Sequence, residues 1–565
     1  MNDIKTVYQH WLNCVTDREI AVELARLQGQ PEQLKDAFYC NLAFGTGGLR
    51  GILGAGTNRM NIYTVAKASQ GLADYVVKNF PQNARKIAVS YDSRIKSDVF
   101  SKIAAEVFVA NGLEVFIYPQ LMPTPCLSFA VRELRCAAGI MVTASHNPAK
   151  YNGYKVYGSD GCQITTKAAD EILHEIEKLD IFTDVKRVPF ERALDDKKIK
   201  YIPEKVYTAF INAVKEESLL GDVQVDKSVS IIYSPLNGAG LRPVLRALTE
   251  SGFTNITVVK EQEQPDGNFP TCPYPNPEIR EAMELGLQYA RKYNADLLLA
   301  TDPDCDRVGI AVKNDKGEYQ LLSGNETGLL LLDYICARRK ALGKMPKNPV
   351  FVKTIVTSDL QEKIAASYGV KTVNVLTGFK FIGEQIGILE KQGRVHDYIF
   401  GNEESYGYLS GTYVRDKDAV NGAFLICEMF AYYKTKGKSL PARLQELYSQ
   451  YGYCLNTLHT YQFEGASGFV TMQRIMNSLR KPWKMFGDFP IEKCLDYNTG
   501  IDGLPKSDVL KFFLSGGHSV VLRTSGTEPK LKLYLSIQAH NKEEASLLEN
   551  KLKTAVEKSC IIRKC

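Results

Sequence analysis

Short apolar runs that end in polar or glycine-containing loops recur along most of the chain, with amphipathic segments between them. A continuous apolar run bounded by turn residues predicts a buried strand, and apolar residues three and four apart predict a helix. The predicted strands are residues 86–91, 114–118, 229–233, 255–259, 295–300, 350–355, 372–376 and 398–400. Predicted helices include residues 97–111, 277–293 and 358–367. This strand–helix–strand succession predicts parallel pairing with right-handed crossovers.

The alternating pattern occurs in three successive units, and the last part of the chain differs from them. Residues 3–40, ahead of the first unit, are amphipathic and predicted to be helical. Near the C-terminus, strands at 520–523 and 532–537 flank a loop and precede a helix rich in lysine and glutamate, which predicts a smaller α+β domain. At roughly 150 residues per domain, 565 residues also suggest about four domains. The predicted domains are 1–200, 201–320, 321–445 and 446–565.

Composition narrows the class of protein. The hydrophobic content of 44% and charged content of 24% are ordinary for a soluble globular protein. The net charge of +6 is small and spread along the chain, which argues against nucleic acid as a partner. No apolar run approaches the roughly 20 residues that span a bilayer, and the N-terminus lacks an apolar signal core. We therefore expect a cytoplasmic protein that binds neither nucleic acid nor membrane.

The 13 cysteines are scattered and include no CxxC pair. This spacing disfavours a zinc site, and a disulfide framework is unexpected in a chain of this length. We expect reduced thiols that are mostly buried.

A serine lies where an apolar strand breaks into a tight loop. The run Ile140–Val142 is followed by Thr143-Ala-Ser-His-Asn-Pro148. Because α/β folds place ligands at the carboxyl ends of strands, the Ser145 hydroxyl is a candidate site group. Together with the carboxylate cluster and the Ser/Gly/Thr loop described below, it suggests phosphoryl transfer through the serine. Lys155 can move protons or hold charge near a seryl phosphate, and His146 can donate to a phosphate oxygen. A turn-forming serine, a loop histidine and a solvated lysine are the plain alternatives.

Three aspartates alternate after another apolar strand, in Thr301-Asp-Pro-Asp-Cys-Asp-Arg307. Hard oxygen ligands at Asp302, Asp304 and Asp306 suit Mg²⁺, and carboxylates packed together without a cation would repel one another. Arg307 adds a positively charged fork that matches phosphate. The alternative is an acidic surface turn. An EF-hand is disfavoured because its glycine and distal glutamate are missing.

Two further loops carry candidate binding groups. In Arg523-Thr-Ser-Gly-Thr-Glu-Pro-Lys530, a phosphate can be encircled by Arg523, the hydroxyls of Thr524, Ser525 and Thr527, and the N–H at Gly526. The Walker spacing is absent, and a hairpin turn of small residues is the alternative. Glu403 and Ser405 can bridge vicinal sugar hydroxyls, although a capped helix start explains them equally.

The motifs around Ser145, Asp302–Asp306, Gly401-Asn-Glu-Glu-Ser-Tyr-Gly407 and Arg523–Pro529 occur in this order, and together they resemble the α-D-phosphohexomutase superfamily. Within this superfamily the chain resembles the phosphoglucomutase-2-like branch. Two further segments are similar to that branch, Phe44-Gly-Thr-Gly-Gly-Leu-Arg-Gly51 and Thr377-Gly-Phe-Lys-Phe381. The resemblance covers nearly the whole chain. It implies an α/β fold of three similar domains with mixed sheets, plus a C-terminal α+β domain, around a central active-site cleft.

The resemblance also implies residue roles. Ser145 would be the phosphoserine and, with Asp302, Asp304 and Asp306, would hold one Mg²⁺ per chain. Catalytic assistance would come from His146 and, for proton transfer, from Arg50 and Lys155. The implied substrate-binding residues are Arg307, Thr377, Gly378, Glu403, Ser405, Lys417, Arg523, Ser525, Gly526 and Thr527.

The activity implied by the resemblance is interconversion of glucose 1-phosphate and glucose 6-phosphate, with glucose 1,6-bisphosphate as intermediate and activator. The metal loop departs from the commoner Asp-Gly-Asp-Gly-Asp pattern but keeps all three ligands. Gly407, in place of the histidine of dual mannose/glucose enzymes, favours glucose. The alternatives are a phosphopentomutase, a phosphomannomutase, a glucose 1,6-bisphosphate synthase, a metal-dependent sugar phosphatase and a non-catalytic sugar-phosphate sensor. We expect sugar phosphates as the partners and a monomer or homodimer.

Overall fold

A computed structural model describes residues 4–45, 47–463, 465–501, 503–524 and 530–560. Within these ranges the strands form four sheets, and helices pack against each of them. The fold class is therefore mixed α/β, as predicted. None of the described helices combines the length and the apolarity needed to span a membrane.

The first sheet has the strand order β1-β5-β4-β2-β3-β6. Its strands are β1 (Gly48–Ile52), β2 (Lys86–Tyr91), β3 (Glu114–Ile117), β4 (Ala138–Val142), β5 (Tyr151–Gly158) and β6 (Ile199–Tyr201). The helices before and between them are α1 (Ile4–Cys14), α2 (Arg18–Leu27), α3 (Pro31–Phe38), α4 (Ile62–Asn79), α5 (Ser97–Ala110), α6 (Thr124–Glu133), α7 (Thr166–Glu177) and α8 (Phe190–Asp195). The strand pairs β4-β2, β2-β3 and β3-β6 are parallel, whereas β5 runs antiparallel to both β1 and β4.

The second sheet has the order β11-β10-β9-β7-β8. Its elements are α9 (Glu204–Glu216), β7 (Ile231–Ser234), α10 (Leu241–Glu250), β8 (Ile256–Val258), α11 (Lys260–Glu263), α12 (Arg280–Tyr293), β9 (Leu297–Thr301), β10 (Val308–Lys313) and β11 (Tyr319–Leu322). Strands β7, β8 and β9 are parallel, and the β9-β10-β11 meander is antiparallel. The antiparallel turn from β9 to β10 carries the three aspartates.

The third sheet has the order β13-β12-β14-β15. Its elements are α13 (Gly324–Ala341), β12 (Val350–Thr354), α14 (Leu360–Ser367), β13 (Lys371–Val375), α15 (Phe379–Lys391), β14 (Tyr398–Asn402), β15 (Tyr408–Leu409), α16 (Ala419–Thr435) and α17 (Leu440–Tyr451). Strand β12 pairs in parallel with both β13 and β14, and β15 folds back antiparallel on β14. The reversal from β14 to β15 contains Glu403 and Ser405.

The fourth sheet is antiparallel throughout, in the order β16-β21-β20-β19-β18-β17. Its elements are β16 (Tyr453–Gln462), α18 (Gly465–Leu479), β17 (Met485–Phe486), β18 (Phe489–Asp496), β19 (Val509–Leu514), β20 (His518–Thr524), β21 (Lys530–Ala539) and α19 (Lys542–Cys560). Three short 3₁₀ turns complete the described chain, at Gln82–Ala84, Val395–Asp397 and Tyr497–Thr499.

Alternation along β21 explains why this last sheet is covered on one face by helices. Leu531, Leu533 and Leu535 lie in a core with residues of α18 and α19, since successive strand residues point to opposite faces. Lys532 and Tyr534 therefore lie on the other face. Tyr534 and Ser536 line a cavity of about 140 Å³ shared with the third unit.

The eleven cysteines whose side chains are described are free thiols, and eight of them are buried. The prediction that the thiols are mostly buried is confirmed for these residues. Cys40 and Cys494 are exposed, and Cys14 is half-buried.

Candidate active site

The Ser145 loop begins where β4 leaves the centre of the first sheet. Every residue of β4 is buried, as the apolar run predicted. The backbone then turns sharply, and Ser145 adopts the left-handed conformation with φ of 51°. Its N–H donates to Thr143 Oγ1 at 2.8 Å. The hydroxyl is thereby presented at the carboxyl edge of the sheet, where the sequence predicted a ligand site.

The three aspartates of the β9–β10 turn are fully buried. Asp302 Oδ1 accepts the N–H groups of Asp306 at 3.1 Å and Arg307 at 3.0 Å, which curls the turn around this carboxylate. One oxygen from each of Asp302, Asp304 and Asp306 lies within 4.8 Å of the others. The alternative of an acidic surface turn is therefore wrong, because the turn faces the interior of the molecule.

These side chains fit a divalent metal ion. Asp304 Oδ1 and Asp306 Oδ1 are buried and have no hydrogen-bond partner among the described residues. Buried acceptors of this kind are costly unless a cation or donor meets them. Three convergent carboxylates are also the hard oxygen set that Mg²⁺ prefers.

The serine and the aspartate turn meet although 157 residues separate them. Ser145 Oγ donates to Asp302 Oδ2 at 2.8 Å, and it lies 3.1 Å from His146 Nδ1. Burial lowers the pKa of His146 well below its usual range, and the charges of Arg307 and Arg50 add to the effect. The imidazole is therefore neutral at pH 7.

Two lysines face the same carboxylates. Lys155 Nζ contacts Asp304 Oδ2 at 2.8 Å and Asp306 Oδ2 at 3.4 Å, and Lys417 Nζ contacts Asp306 Oδ2 at 2.9 Å. Burial alone would lower the pKa of each lysine, but the neighbouring carboxylates outweigh it and raise both values. The ammonium charges likewise lower the pKa of Asp304 and Asp306 against the effect of burial. Burial and the two other aspartates raise the pKa of Asp302.

The reversal from β14 to β15 places a carboxylate beside the start of α15. Glu403 Oε1 accepts the N–H of Gly378 at 3.0 Å, and Gly378 precedes α15 with φ of 124°. Thr377 Oγ1 is buried and has no hydrogen-bond partner among the described residues. Burial raises the pKa of Glu403 to about 7, although the Lys417 charge opposes the shift. Ser405, in the same turn, is half-buried.

Lys417 passes directly over Gly407. A Cβ at position 407 would lie 2.4 Å from Lys417 Cδ, so a larger side chain there would displace the lysine. Asp416 Oδ1 holds the same ammonium at 3.3 Å, and Tyr157 in β5 donates to Asp416 Oδ2 at 2.7 Å. The first sheet thus supports a side chain of the third unit.

The predicted arginines fall at three places around this centre. Arg307 forms an ion pair with Glu278 and lies 3.8 Å from Asp306 Oδ1. Arg50 lies on β1, opposite Gly153 of β5, and its charge acts on His146. Arg523 lies on β20, directly opposite Lys532 of β21. Ser525, Gly526 and Thr527 lie outside the described residues.

Thr124, Asp416 and Glu278 belong to the site but were not predicted. Thr124 Oγ1 donates to Asp304 Oδ2 at 2.9 Å, and its N–H donates to Asp304 O at 3.0 Å. The prolines on either side of Thr124 signal a loop but carry no indication of what the threonine contacts. Thr124 and Asp416 contact partners in other domains, and Glu278 pairs with Arg307 29 residues further along its own domain. Local sequence patterns reveal none of these contacts.

Comparison with known proteins agrees with this geometry. The family models named phosphoglucomutase/phosphomannomutase, alpha/beta/alpha domains I, II and III, match residues 41–181, 208–317 and 323–451 in that order. The chain belongs to the phosphoglucomutase/phosphomannomutase family. The resemblance proposed from the sequence motifs is therefore confirmed, and the antiparallel C-terminal unit is a further domain beyond the three matched ones.

Several full-length relatives are similar. A phosphoglucomutase of Staphylococcus saprophyticus is 34% identical over 547 residues, covering 94% of this chain and 97% of that protein. A phosphoglucomutase of Staphylococcus aureus strain MW2 is 34% identical over 524 residues, covering 91% and 92%. Because these relatives match nearly the whole length of the chain, the family fold extends over the whole chain.

Solved structures share the fold at lower identity. The open form of the Paramecium phosphoglucomutase parafusin superposes with a TM-score of 0.69 at 18% identity, covering 92% of this chain and 96% of its own. A phosphoglucomutase/phosphomannomutase family protein from Burkholderia thailandensis gives a TM-score of 0.68 at 17% identity, covering 91% and 97%.

Proposed function

We propose that this protein is a Mg²⁺-dependent phosphoglucomutase that interconverts glucose 1-phosphate and glucose 6-phosphate through a phosphate carried on Ser145. The observation that supports this most directly is the 2.8 Å contact between Ser145 Oγ and Asp302 Oδ2. It puts a hydroxyl that can carry phosphate against a buried three-aspartate turn. The 34% identity to phosphoglucomutases over most of the chain supports the same activity.

Ser145, Asp302, Asp304 and Asp306 would hold the magnesium ion. When bound there, Mg²⁺ supplies positive charge that stabilises the phosphoryl oxygens as the P–O bond breaks. Lys155 and Lys417 balance the remaining carboxylate charge at the distances described above. The positive charges of Arg50 and Arg307 act on His146 and would help to hold anionic phosphate there.

The reaction consists of two phosphoryl transfers, each of a different phosphoryl group. The bond from phosphorus to Ser145 Oγ breaks as a bond to the free sugar hydroxyl forms, which gives glucose 1,6-bisphosphate. The bisphosphate then turns end for end, and its other phosphoryl group passes to Ser145 Oγ as the bond to the sugar oxygen breaks, which restores the phosphoserine and releases glucose 6-phosphate. In that second transfer the Ser145 hydroxyl loses its proton, and Asp302 Oδ2 and His146 Nδ1 lie within hydrogen-bond reach of Oγ. We propose that Arg50 and Lys155 assist these proton transfers.

Binding groups at some distance from Ser145 would orient the sugar. Glu403 and Ser405 are the proposed partners of the sugar hydroxyls, with Thr377, Gly378 and Lys417 around them. Arg523 and the loop residues Ser525, Gly526 and Thr527 are proposed to hold the phosphate that does not react. Binding a remote phosphate in either orientation supplies the positioning on which phosphoryl transfer depends.

The substrate is tested with a panel of glucose, mannose, ribose and deoxyribose 1-phosphates, each with Mg²⁺ and glucose 1,6-bisphosphate as activator. We expect the highest kcat/KM for glucose 1-phosphate and almost no release of inorganic phosphate. A higher kcat/KM for a pentose or mannose phosphate would replace glucose as the substrate. Stoichiometric phosphate release would mark a phosphatase, and binding without turnover would mark a sensor.

Intact-mass spectrometry tests the covalent step. After incubation with glucose 1,6-bisphosphate the protein should gain about 80 Da, the mass of one phosphoryl group, on the peptide that contains Ser145. A fully active preparation that reproducibly lacks this adduct would contradict the phosphoserine mechanism.

A further inference from the structure

The Arg94 side chain is buried beneath the Ser145 loop, in the segment that joins β2 to α5. Its guanidinium donates to four backbone carbonyls of that loop. Nε donates to Ser145 O at 3.2 Å, and Nη1 donates to Pro148 O at 3.0 Å and Tyr151 O at 2.9 Å. Nη2 donates to the carbonyls of Ser145 and Asn147. All three nitrogens are thus engaged by backbone, so the side chain acts on the loop and not on substrate.

The other side of Ser145 is fixed from the same segment. Asp92 Oδ2 accepts from Thr143 Oγ1 at 2.6 Å, and Thr143 Oγ1 in turn accepts from the N–H of Ser145 at 2.8 Å. Asp92 Oδ2 also lies 3.6 Å from Arg94 Nε, with both side chains fully buried. The buried pair of Asp92 and Arg94 therefore fixes both backbone groups of Ser145. Asp92 acts on the N–H through Thr143, and Arg94 binds the C=O directly.

A loop of the second domain packs against Arg94 on the side away from the Ser145 loop. The Phe269 ring lies 5.1 Å from the centre of the Arg94 guanidinium, within the range of a cation–π contact. Gly267 allows the approach, because a Cβ there would lie 2.4 Å from Ile95 N and 2.8 Å from Ser93 O. Arg94 therefore lies between the Ser145 loop and a loop of the domain that carries the aspartates.

The serine needs such support because its backbone conformation is unfavourable. A non-glycine residue in the left-handed region is uncommon and persists only where its surroundings impose it. With φ at 51°, Ser145 Oγ reaches Asp302 Oδ2 at 2.8 Å. Relaxation of the loop would move the hydroxyl away from that carboxylate.

We propose that Arg94 is a positioning residue for phosphoryl transfer, which locks Ser145 in the left-handed conformation and seats it against the aspartate turn of the second domain. The proposal rests on the proposed function, in which Ser145 carries the phosphate. The buried Arg94 guanidinium would then fix both the conformation of the Ser145 loop and the position of that loop relative to the metal-binding carboxylates.

The test is Arg94→Lys. Lysine keeps a positive charge opposite Asp92, but a compact ammonium with three donors does not reproduce a planar fork that reaches four carbonyls. Arg338→Lys is the matched control, because Arg338 is also buried and donates to two backbone carbonyls, Leu219 O at 2.9 Å and Leu220 O at 2.8 Å, away from the site. Both variants should lose thermal stability.

Two readouts separate positioning from general destabilisation. In Arg94→Lys we expect kcat to fall about 100-fold, the cost of a small misplacement of reacting groups, with KM changed by less than about threefold. Amide exchange of the peptide 143–152 should accelerate about tenfold or more in Arg94→Lys and stay unchanged in Arg338→Lys. The proposal would be overturned if Arg94→Lys kept the amide exchange and kcat of the wild type. It would also be overturned if Arg338→Lys lost as much kcat as Arg94→Lys.

Thr143→Val is the second variant and decides the question if Arg94→Lys does not fold. It removes the acceptor for the Ser145 N–H and should give the same pattern of faster local exchange and lower kcat at near-constant KM. If it exchanges and turns over as wild type does, Ser145 does not need to be held. The exchange comparison does not depend on turnover, so absence of the phosphoserine adduct in wild type would contradict the proposed function and leave the exchange result to decide Arg94's role.

Discussion

The charges around Ser145 are unevenly paired. Asp304 and Asp306 each contact an ammonium group, whereas Asp302 has no cationic side chain within 4.0 Å among the described residues. Its oxygens are met by two backbone N–H groups and by the Ser145 hydroxyl. A metal ion held by the turn would therefore supply the close positive charge that, among the described residues, Asp302 alone of the three aspartates lacks.

Replacing the serine should separate chemistry from binding. In Ser145→Ala we expect turnover to fall at least about 10⁴-fold, since no other group accepts the phosphoryl, while sugar-phosphate affinity is retained. Coupled assays and isothermal titration calorimetry measure the two quantities. Ser159→Ala, an exposed serine after β5, is the control and should behave as wild type. Near-normal turnover in Ser145→Ala would rule out the serine as phosphate carrier.

Replacing Asp302 should weaken metal binding. Asp302→Asn removes one anionic ligand, so we expect Mg²⁺ affinity to fall about tenfold or more, by titration calorimetry of the protein with Mg²⁺ alone. Asp315→Asn, at the exposed β10–β11 turn, removes the same charge from the same domain without touching the site. Equal Mg²⁺ affinities in the two variants would contradict the assignment of the ligands.

The raised pKa of Glu403 predicts a pH dependence. With a pKa of about 7, Glu403 is ionised above that pH and accepts sugar hydroxyls, and it is protonated below it. We therefore expect kcat/KM for glucose 1-phosphate to fall as pH drops from about 8 to 6, because kcat/KM reports groups of the free enzyme. In Glu403→Gln the value should be low at pH 8 and should lack that step. A step of the same size in the variant would assign the dependence to the substrate phosphate or to another group.

At the level of elements, the site is built from the turns that follow β4, β9 and β14, each a strand buried in a mixed sheet. These strands were predictable because continuous apolar runs between turn residues leave few alternatives. Helix α12 begins at Arg280, later than predicted, because Asn276 side-chain and backbone oxygens accept the N–H groups of residues 278 and 279 and hold them in a turn. That turn delivers Glu278 to Arg307.

The candidate chemistry was predictable from the sequence only where the groups are local. Ser145 and the three aspartates each follow an apolar strand, so their motifs indicate their chemistry. Other residues contribute through contacts with residues far away in sequence or through backbone carbonyls, as Thr124, Asp416 and Arg94 do. Neither kind of contact leaves a periodic pattern in the sequence. Their roles became visible only with the fold.

The tight approach at Gly267 gives an element-level prediction. In Gly267→Ala the new methyl group would meet backbone atoms of residues 93–95, which are not free to move as a side-chain end is. We expect a loss of about 1–3 kcal/mol in stability, as is usual for overpacking. The midpoint of the first thermal transition and kcat are the measurements.

Gly29→Ala is the control for this substitution, since nothing lies within 4 Å of a Cβ at that position. It should keep the wild-type transition and kcat. A Gly267→Ala protein that also matched wild type in both would show that the loop of the second domain is free to move away from the Arg94 segment.

At the level of the whole molecule, polar groups join the C-terminal domain to the third, beside apolar packing in which Val509, Val521 and Tyr534 share a core with residues of the third domain. Lys511 Nζ donates to Ile355 O at 3.0 Å and to Asp359 Oδ1 at 2.9 Å, and Ser519 Oγ donates to Asp359 Oδ2 at 2.9 Å. The domain limits at residues 200, 320 and 445 stay a prediction.

We predict that the C-terminal domain closes on substrate. A phosphoserine exposed to water would be lost to hydrolysis, so exclusion of water is needed during transfer. Small-angle scattering should show a smaller radius of gyration with glucose 1,6-bisphosphate than without it. An unchanged radius of gyration in a protein saturated with ligand would contradict closure.

The two exposed thiols offer a way to follow such motion in single molecules. Cys40 lies ahead of β1 and Cys494 lies on β18, so they mark the first and last domains. Once Cys14, Cys560 and Cys565 are replaced by serine, maleimide dyes would react at these two native positions, while the eight buried cysteines are shielded. Energy transfer between the dyes would then report each opening and closing event in time.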